Sequence, residues 1–301
     1  MKISGFSFAR NAQKLYYPVA ESIKSILPIC DEFIIAVGKG DNDDKTREFI
    51  EKIRDPKIRI IDTEWADREK LKGFIHSQQT NIALKECKGD WCFYVQADEV
   101  VHEKYLPIIH RRCEELLGDQ QVEGLLFKYR HFWGDYDHYN LSHAWYPREI
   151  RIIRNFKSIE SWETAQSFRR NGQKINVATV DAEIYHYGWV RPPSLMHSKI
   201  KEFCTTHWGK KKADSVFTSE KQEFNYGSLA KVSRFEGTYP EVMKEWISMM
   251  NWKDQLQYTG RSKVIHKHDR FKYRLLTFLE QKICGGRQIG GFKNYVLLKN
   301  K

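Results

Sequence analysis

Four short, largely apolar runs occur within roughly the first hundred residues of the chain. They are residues 2–8, 33–37, 58–61 and 91–95. Such runs are typical of strands that are covered on both faces of a sheet. Apolar residues at helical spacing separate the runs, in a helix that begins at Pro18, a second around Ile50 and a third over residues 77–87. This alternation predicts an α/β fold whose mostly parallel sheet is flanked by helices.

Polar residues follow two of the predicted strands where they end. The loop over residues 38–44 is rich in glycine and aspartate, and Asp98 and Glu99 come shortly after the last apolar run. Open α/β sheets bind ligands outside the carboxyl ends of their strands. Asp98 and Glu99 are therefore candidate ligands of a hard divalent cation, which prefers oxygen donors. The alternative is a loop whose two acids are simply solvated.

The pattern changes after this acidic pair. Residues 125–130 and 150–153 predict further strands, and the segment over residues 131–146 between them is rich in aromatic residues and histidine. Aromatic faces stack on sugars or bases, and they also pack in protein cores. Both interpretations of the segment stay open.

The carboxyl-terminal part of the chain, from about residue 199, is polar, basic and predicted to be helical. Near its end Phe271, Leu275, Phe278 and Leu279 form an apolar stripe at helical spacing, beside several lysines and arginines. One interpretation is a helix that packs back on the domain. The other is a helix that lies on an anionic membrane surface.

Composition narrows the class of protein. Hydrophobic residues make up 41% and charged residues 30% of 301 residues, as in a globular protein, and the net charge of +11 favours anionic partners. Nucleotides, nucleic acid and acidic membranes all qualify. The sequence shows no signal peptide and no run long enough to span a bilayer, so we expect a cytoplasmic protein. Six cysteines without C-x-x-C spacing are expected to be reduced, buried thiols.

Several segments occur together in a recognisable order. They are Ala9-Arg10-Asn11, the acidic loop 41–44, the helix with Gln78, Gln79 and Asn81, and Gly89-Asp90-Trp91 leading to Gln96-Ala97-Asp98-Glu99. As a set they resemble the family 2 glycosyltransferases of the GT-A fold. Looser similarity to a bacterial subgroup of that family continues through residues 148–155, 163–168 and 186–191, so that the resemblance covers nearly the whole chain.

The resemblance implies a domain organisation and an activity. We expect a GT-A domain over residues 1–230, with a nucleotide-binding half (about 1–100) and an acceptor half (about 101–230), then a helical basic region over residues 231–301. The implied reaction is inverting transfer of a sugar from a nucleotide-diphosphate donor to the hydroxyl of a saccharide or lipid-linked acceptor. A UDP-sugar is the favoured donor. The implied setting is cell-surface glycan or polysaccharide synthesis. Peripheral attachment to the inner face of the membrane is an option, and nucleic acid is not expected as a partner.

The resemblance also implies site residues. The nucleotide-sugar pocket would contain Ala9, Asn11, Lys39, Asp41, Asp43, Gln79, Gln96, Ala97, Asp98 and Arg191. Asp98 and His186 would hold a divalent Mn²⁺ or Mg²⁺. Trp133, Tyr146 and Trp189 would form the acceptor walls, and Glu163 would be the catalytic base.

Two positions depart from the family pattern. Gln96 stands where the metal motif Asp-x-Asp usually begins, and since an amide brings no charge we expect weaker metal binding. Thr164 stands where an aspartate base is expected, which leaves the neighbouring Glu163. The alternative for Glu163 is a pairing with Arg169 or Arg170.

Two other classes of function compete with glycosyl transfer. Nucleotidyl transfer also uses strand-end carboxylates, but it generally requires two or three acids around paired metal ions, and Gln96 removes one of them. A non-catalytic nucleic-acid-binding protein would explain the net charge and the many aromatic residues.

Overall fold

A mixed β-sheet forms the centre of the molecule, and its first half is parallel. The computed structural model describes residues 1–65, 73–217, 223–299 and 301. The parallel half contains β1 (Ile3–Ala9), β2 (Glu32–Gly38), β3 (Ile58–Thr63) and β4 (Trp91–Tyr94), in the spatial order β3-β2-β1-β4. These strands match the four predicted apolar runs to within two residues.

Helices cover both faces of this half. They are α1 (Val19–Ile26), α2 (Thr46–Glu51), α3 (Phe74–Lys85) and α4 (Leu106–Leu116). Side chains of α1 and α4 join one apolar layer with Phe33 and Ile35, whereas α3 joins the opposite layer with Phe6 and Ile34. Successive strand residues point to opposite faces, so continuous apolar runs are needed to fill both layers. The predicted α/β fold class is confirmed.

The second half of the sheet is mainly antiparallel. It begins with β5 (Glu99–Val101), β6 (Gly124–Trp133), β7 (His138–Asn140) and β8 (Arg148–Arg154). Strand β8 lies between β4 and β6 and is antiparallel to both, and β7 is antiparallel to β6. The predicted strands over residues 125–130 and 150–153 fall inside β6 and β8, so both are confirmed.

The remaining strands escaped sequence analysis. A small separate sheet contains β9 (Ile159–Trp162), β10 (Ser167–Arg170) and β11 (Gln173–Lys174), and the long strand β12 (Asn176–Trp189) runs parallel to β6. In β12, the buried Val180 and Ala182 alternate with the exposed Asp181 and the half-buried Glu183. That period of two is the signal that could have revealed it.

The carboxyl-terminal third adds helices and two short strands. They are α5 (Pro193–Trp208), α6 (Lys210–Val216), β13 (Ser233–Arg234), α7 (Lys244–Ser248), α8 (Phe271–Lys282) and β14 (Val296–Leu297). Strand β13 pairs with β7 and β14 pairs with β12, so both extend the main sheet. The domain boundary near residue 230 stays a prediction. Within the described ranges, no helix combines the length and the apolar character that crossing a bilayer requires.

Helix α8 packs on the domain through its polar face and not through its apolar stripe. Its inward face is polar: the Glu280 carboxylate lies 2.6 Å from Nδ1 of His143, and the backbone amide of His143 donates to the Thr277 hydroxyl at 2.9 Å. The apolar residues Phe271 and Phe278 are 80% and 57% exposed. The interpretation of a helix that packs back on the domain therefore holds for α8, but the packing uses these polar contacts and leaves the apolar stripe facing outward.

The aromatic segment over residues 131–146, which begins inside β6, lies largely in the core. Phe132, Trp133 and Tyr136 are buried in a third apolar cluster, together with Tyr187 of β12. All six cysteines are free, and five of them are buried, which confirms the expectation of reduced thiols.

A buried ion pair connects the strand-end turn after β4 to β8. The Arg151 guanidinium donates to both carboxylate oxygens of Glu99 at 2.7 and 2.6 Å, and both side chains are fully buried. The Tyr129 hydroxyl also donates to Glu99 at 2.8 Å. The expectation that Glu99 is a cation ligand is therefore wrong, because Arg151 and Tyr129 already use both of its oxygens.

Removing the charge of Glu99 should destabilise the protein strongly. Glu99→Gln leaves Arg151 as an uncompensated buried charge, and we expect a loss of about 3–5 kcal/mol in the free energy of unfolding, measured by urea denaturation. The control is Asp181→Asn, which breaks the exposed pair of Asp181 with Lys128 and should cost about 1 kcal/mol or less. Equal losses in the two variants would contradict this role of the buried pair.

Candidate active site

The carboxyl ends of β1 to β4 meet at one edge of the sheet, and the loop after β2 is anchored there. Asn11 follows β1 with a positive φ of 52°, and its side-chain oxygen accepts from the backbone amide of Asp41 at 2.9 Å. Arg10 donates to the Lys39 carbonyl at 2.9 Å and to Asp41 at 3.2 Å. These contacts hold the acidic loop against the end of β1, next to the buried Ala9.

A cavity of about 500 Å³ lies at the carboxyl ends of β2 and β3. Its wall includes Lys39, Asp44, Arg47 and Thr63. The buried side chain of Gln79 supports this wall, because its oxygen accepts a hydrogen bond from the Thr63 hydroxyl. Small-molecule pockets typically measure about 300–1,000 Å³, so the volume suits a ligand of nucleoside size.

Two of the predicted pocket residues face solvent at the rim of this loop. Asp41 and Asp43 are both exposed, and the Lys14 ammonium bridges them at 3.0 and 2.9 Å. Hydrogen bonds from Lys14 raise the pKa of that lysine, so the three side chains stay charged near neutral pH.

Asp98 lies in the turn between β4 and β5, and its carboxylate points towards other groups of the site. Its Oδ2 atom is 3.3 Å from Nζ of Lys199 and 3.8 Å from Nε2 of His186. Burial by itself would raise the pKa of Asp98, but Lys199, His186 and Arg191 together lower it to about 2. The Asp98 carboxylate is therefore ionised at every physiological pH.

A second histidine, His131, determines whether the nitrogen of His186 that faces Asp98 carries a proton. Nε2 of His131 lies 2.7 Å from the carbonyl oxygen of Tyr146, and since a carbonyl only accepts, this nitrogen carries the proton. Burial lowers the pKa of His131 to about 3 and that of His186 to about 4, so both rings are neutral. Nδ1 of His186 must then donate to Nδ1 of His131 across 2.9 Å. The lone pair on Nε2 of His186 is left facing the Asp98 carboxylate.

This arrangement suits a divalent cation between Asp98 and His186. Two ligands that are each about 2.1 Å from one ion lie roughly 3–4 Å apart, as these two atoms do. No group of three or more His, Cys, Asp and Glu ligands occurs in the part of the chain that the structure describes. A cation held here would therefore take its other ligands from a substrate and from water. Lys199 contacts the same carboxylate oxygen and would share it.

Arg191 lies deeper than the resemblance implies. Its side chain is fully buried and donates to the carbonyls of Leu15 at 2.6 Å and Gly188 at 3.2 Å, and its charge stacks over Tyr17 at 4.5 Å. It supports the loop after β12 and acts on Asp98 only through its electrostatic field. Lys199 of α5, which sequence analysis did not select, makes the direct contact with Asp98, and burial lowers the pKa of this lysine to about 7.

Gln96 connects Asp98 to the turn that contains Glu163. Its amide nitrogen donates to the Ala165 carbonyl at 3.2 Å, while its backbone carbonyl accepts from Ser22 at 2.8 Å. Ala97, between Gln96 and Asp98, is partly buried. The Gln96 side chain therefore has a positioning task that an aspartate could not perform, because aspartate has no amide donor.

Glu163 is exposed in the turn between β9 and β10, where its φ of 49° marks a tight left-handed position. Within the described ranges it forms no ion pair. Arg169 donates to Asn294, and Arg170 pairs with Glu123 at 2.7 Å. Among the described residues neither arginine therefore forms an ion pair with Glu163, whose charge acts on Arg169 only at longer range.

Glu149 of β8 is a second acid near this turn, and sequence analysis missed it. One of its oxygens accepts from the Gln166 amide at 3.1 Å, and the other has no hydrogen-bond partner among the described residues. Burial raises the pKa of Glu149 to about 7. The signal that could have revealed it is the pair of charges, Glu149 and Arg151, which lie on one face of the strand and flank the apolar Ile150.

The three predicted acceptor residues are not equally accessible. Trp133 is only 2% exposed, and its indole donates to the Tyr226 carbonyl at 3.0 Å. Trp189 stacks on Trp133 with ring centroids 5.0 Å apart and is partly exposed, and Tyr146 is partly exposed above His131. Trp133 therefore supports Trp189 from behind, and Trp189 and Tyr146 are the rings that reach the surface.

Comparison with known proteins adds partial likenesses. No model of a protein family matches this chain, and no curated protein does. Among solved structures, residues 1–349 of S. aureus TarS in complex with UDP-GlcNAc show 16% identity and a TM-score of 0.40, over 73% of this chain and 72% of that one. The mannosyltransferase PcManGT from Pyrobaculum calidifontis, in complex with GDP-Man and Mn²⁺, shows 14% identity and a TM-score of 0.32, over 41% and 34%.

A third solved structure is glucosyl-3-phosphoglycerate synthase from Mycobacterium tuberculosis, in complex with Mn²⁺, UDP and phosphoglyceric acid. It shows 20% identity and a TM-score of 0.29, over 42% of each chain. These structural neighbours are GT-A type glycosyltransferases, the type that the sequence resemblance predicts. TM-scores below 0.5 do not transfer a neighbour's site or activity to this chain.

Proposed function

We propose that this protein is an inverting glycosyltransferase that uses a nucleotide-diphosphate sugar. The observation that supports this most is Nε2 of His186 facing the Asp98 carboxylate across 3.8 Å, at the strand edge that also holds the cavity. A cation between these two atoms, together with Lys199 in its protonated form, would give the site positive charge for a diphosphate. A single carboxylate with one histidine disfavours two-metal nucleotidyl transfer.

The donor would span two parts of the edge. Its nucleoside would occupy the cavity beside Lys39 and Thr63, and its diphosphate would lie near Asp98. Arg10 connects the two parts, since it contacts the Lys39 carbonyl and also Glu202 of α5, three residues after Lys199. A divalent cation bound by Asp98 and His186 would neutralise charge on the leaving diphosphate. Lys199 would donate to a diphosphate oxygen.

The acceptor hydroxyl would approach past Trp189 and Tyr146. Its oxygen attacks the anomeric carbon from the face opposite the diphosphate, the bond to the diphosphate oxygen breaks, and a carboxylate takes the hydroxyl proton. Glu163 is accessible in its turn, whereas Glu149 has one oxygen without a hydrogen-bond partner in the described part of the chain and a pKa near the working range of a general base. Both therefore stand as candidates for the base.

Donor binding tests the class of function. We expect a nucleotide sugar to raise the melting temperature, and the increase should be larger with Mn²⁺, because a ligand that binds the folded state stabilises it. The panel starts with UDP-GlcNAc and GDP-mannose, the donors bound to the structural neighbours. Asp98→Asn should abolish the Mn²⁺-dependent part of the shift. A salt-sensitive shift with oligonucleotides, and none with any nucleotide sugar, would favour a nucleic-acid-binding protein instead.

The orienting role of His131 gives a second prediction. His131→Phe keeps a ring but removes the acceptor for Nδ1 of His186, and we expect Mn²⁺ affinity in the presence of UDP to fall about 10–100-fold in calorimetric titration. The control is His102→Gln, which replaces another buried histidine, bonded to Thr238, and should leave Mn²⁺ affinity unchanged. Unchanged affinity in His131→Phe would remove His131 from the site.

The two candidate bases can be separated by rate and by pH. Loss of a general base typically lowers the rate about 10²–10⁴-fold, so either Glu163→Gln or Glu149→Gln should reduce transfer by this factor while donor binding persists. If Glu149 is the base, wild-type transfer should fall about tenfold per pH unit below pH 7, because its pKa is raised to about 7 and the base becomes protonated. Full activity in both variants would exclude both residues.

A further inference from the structure

The exposed apolar side chains of the protein are concentrated near its carboxyl terminus. Among the described residues, ten of nineteen exposed large hydrophobic side chains lie within residues 264–297. They include Phe271, Leu275 and Phe278 on α8, and Ile283 and Phe292, which are 70% and 78% exposed, in the segment that follows. A surface of this kind on a folded domain usually contacts another apolar phase or partner.

The same segment carries most of the net charge. Residues 261–301 contain eleven lysines and arginines against two acids, which leaves +9 of the chain's +11. Both acids are already engaged. Glu280 is buried against His143 and accepts from the amide of Ile289 at 2.7 Å, and Asp269 accepts from the amide of His266 at 3.1 Å. The segment therefore presents positive charge to solvent with little to offset it.

A second cavity lies beside the exposed stripe. It measures about 450 Å³ and is lined on one side by Phe278 and on others by Lys231, Arg274 and Lys282. These three cations are exposed, and within the described ranges none of them lies within 4 Å of a carboxylate. Ser142 and Asn140 add polar groups to the wall, and the side-chain amide nitrogen of Asn140 is buried without a hydrogen-bond partner among the residues that the structure describes. Asp269 is the one acid among the described lining residues, so the three cations leave the cavity with net positive charge, which suits a phosphate.

We infer that α8 and the adjoining cavity form a docking surface for a membrane rich in anionic phospholipid. Phe271, Leu275 and Phe278 would enter the interface between headgroups and acyl chains, and a headgroup phosphate would contact Arg274 and Lys282 at the cavity. The charge of +9 is complementary to an anionic bilayer. Aromatic and aliphatic side chains flanked by lysine and arginine are the composition that interfacial helices use.

The polar inward face of α8 explains why this stripe is free to dock. Thr277 and Glu280 fasten the helix to His143, so the apolar face is not needed for packing. His143 belongs to the loop that also carries Trp145, whose ring lies 5.0 Å from that of His131. The docking surface thus adjoins the candidate acceptor region. This position favours a lipid-linked acceptor, an expectation that rests on the proposed function.

Vesicle flotation tests the inference with the full chain and without any nucleotide sugar. We expect binding to vesicles that contain phosphatidylglycerol, none to pure phosphatidylcholine, and loss of binding as salt rises, because exposed charges are screened beyond about 8–10 Å near physiological ionic strength. The double variant Arg274→Gln/Lys282→Gln should bind about thirtyfold more weakly, since each cation near an anionic surface contributes about a factor of five.

Matched controls separate this surface from general charge. Lys210→Gln/Lys211→Gln removes the same charge from α6 and should leave binding nearly unchanged. Phe278→Ser should weaken binding about tenfold, whereas Met249→Ser, which changes a side chain that is 50% exposed at the end of α7, should not. Equal weakening by the two double variants would overturn the inference.

Other occupants of the surface would give different results. Full displacement from vesicles by soluble glycerol phosphate would indicate a site for free phosphate and overturn membrane docking. A dimer in sedimentation velocity that Phe278→Ser abolishes, without vesicle binding, would show that a second copy of the chain covers the stripe. The thermal shift with nucleotide sugars should be the same in Phe278→Ser and wild type, so failure of docking and failure of the proposed activity are distinguishable.

Discussion

The buried ion pair between Arg151 and Glu99 is the constraint on which the candidate site depends. Glu99 begins β5 immediately after Asp98, and the same guanidinium also donates to the carbonyl of Gln166 at 3.1 Å. One side chain thus holds both the turn that presents Asp98 and the turn that presents Glu163. A buried ion pair adds little stability compared with apolar packing, but it tolerates no alternative partner, so it positions both turns.

Burial has different consequences for the other charged groups of the site. Asp98 stays ionised because cations surround it, whereas burial keeps His131 and His186 neutral and raises the pKa of Glu149. These separate environments give one small region an anion, a neutral ligand and an acid that titrates near neutral pH. Such divergence among neighbouring groups is typical of catalytic sites.

The surface follows a different principle. Most of the net positive charge lies in the last forty or so residues, outside the sheet, and α8 is attached there through polar groups. Core packing therefore does not explain the apolar stripe of α8. The strand edge and the α8 surface are connected through the loop that carries His143 and Trp145. Catalysis and docking would thus use separate but adjoining parts of one fold.

The sequence by itself determined the parallel half of the sheet, because apolar runs and helical spacing are local patterns that report burial directly. Its resemblance to a known family selected Asp98 and His186. Only the tertiary structure decided that Arg151 pairs with Glu99, that His131 leaves the lone pair of His186 facing Asp98, and that the apolar stripe of α8 faces solvent. Each of these depends on a pairing between residues about fifty to 140 positions apart, and local periodicity carries no information about such partners.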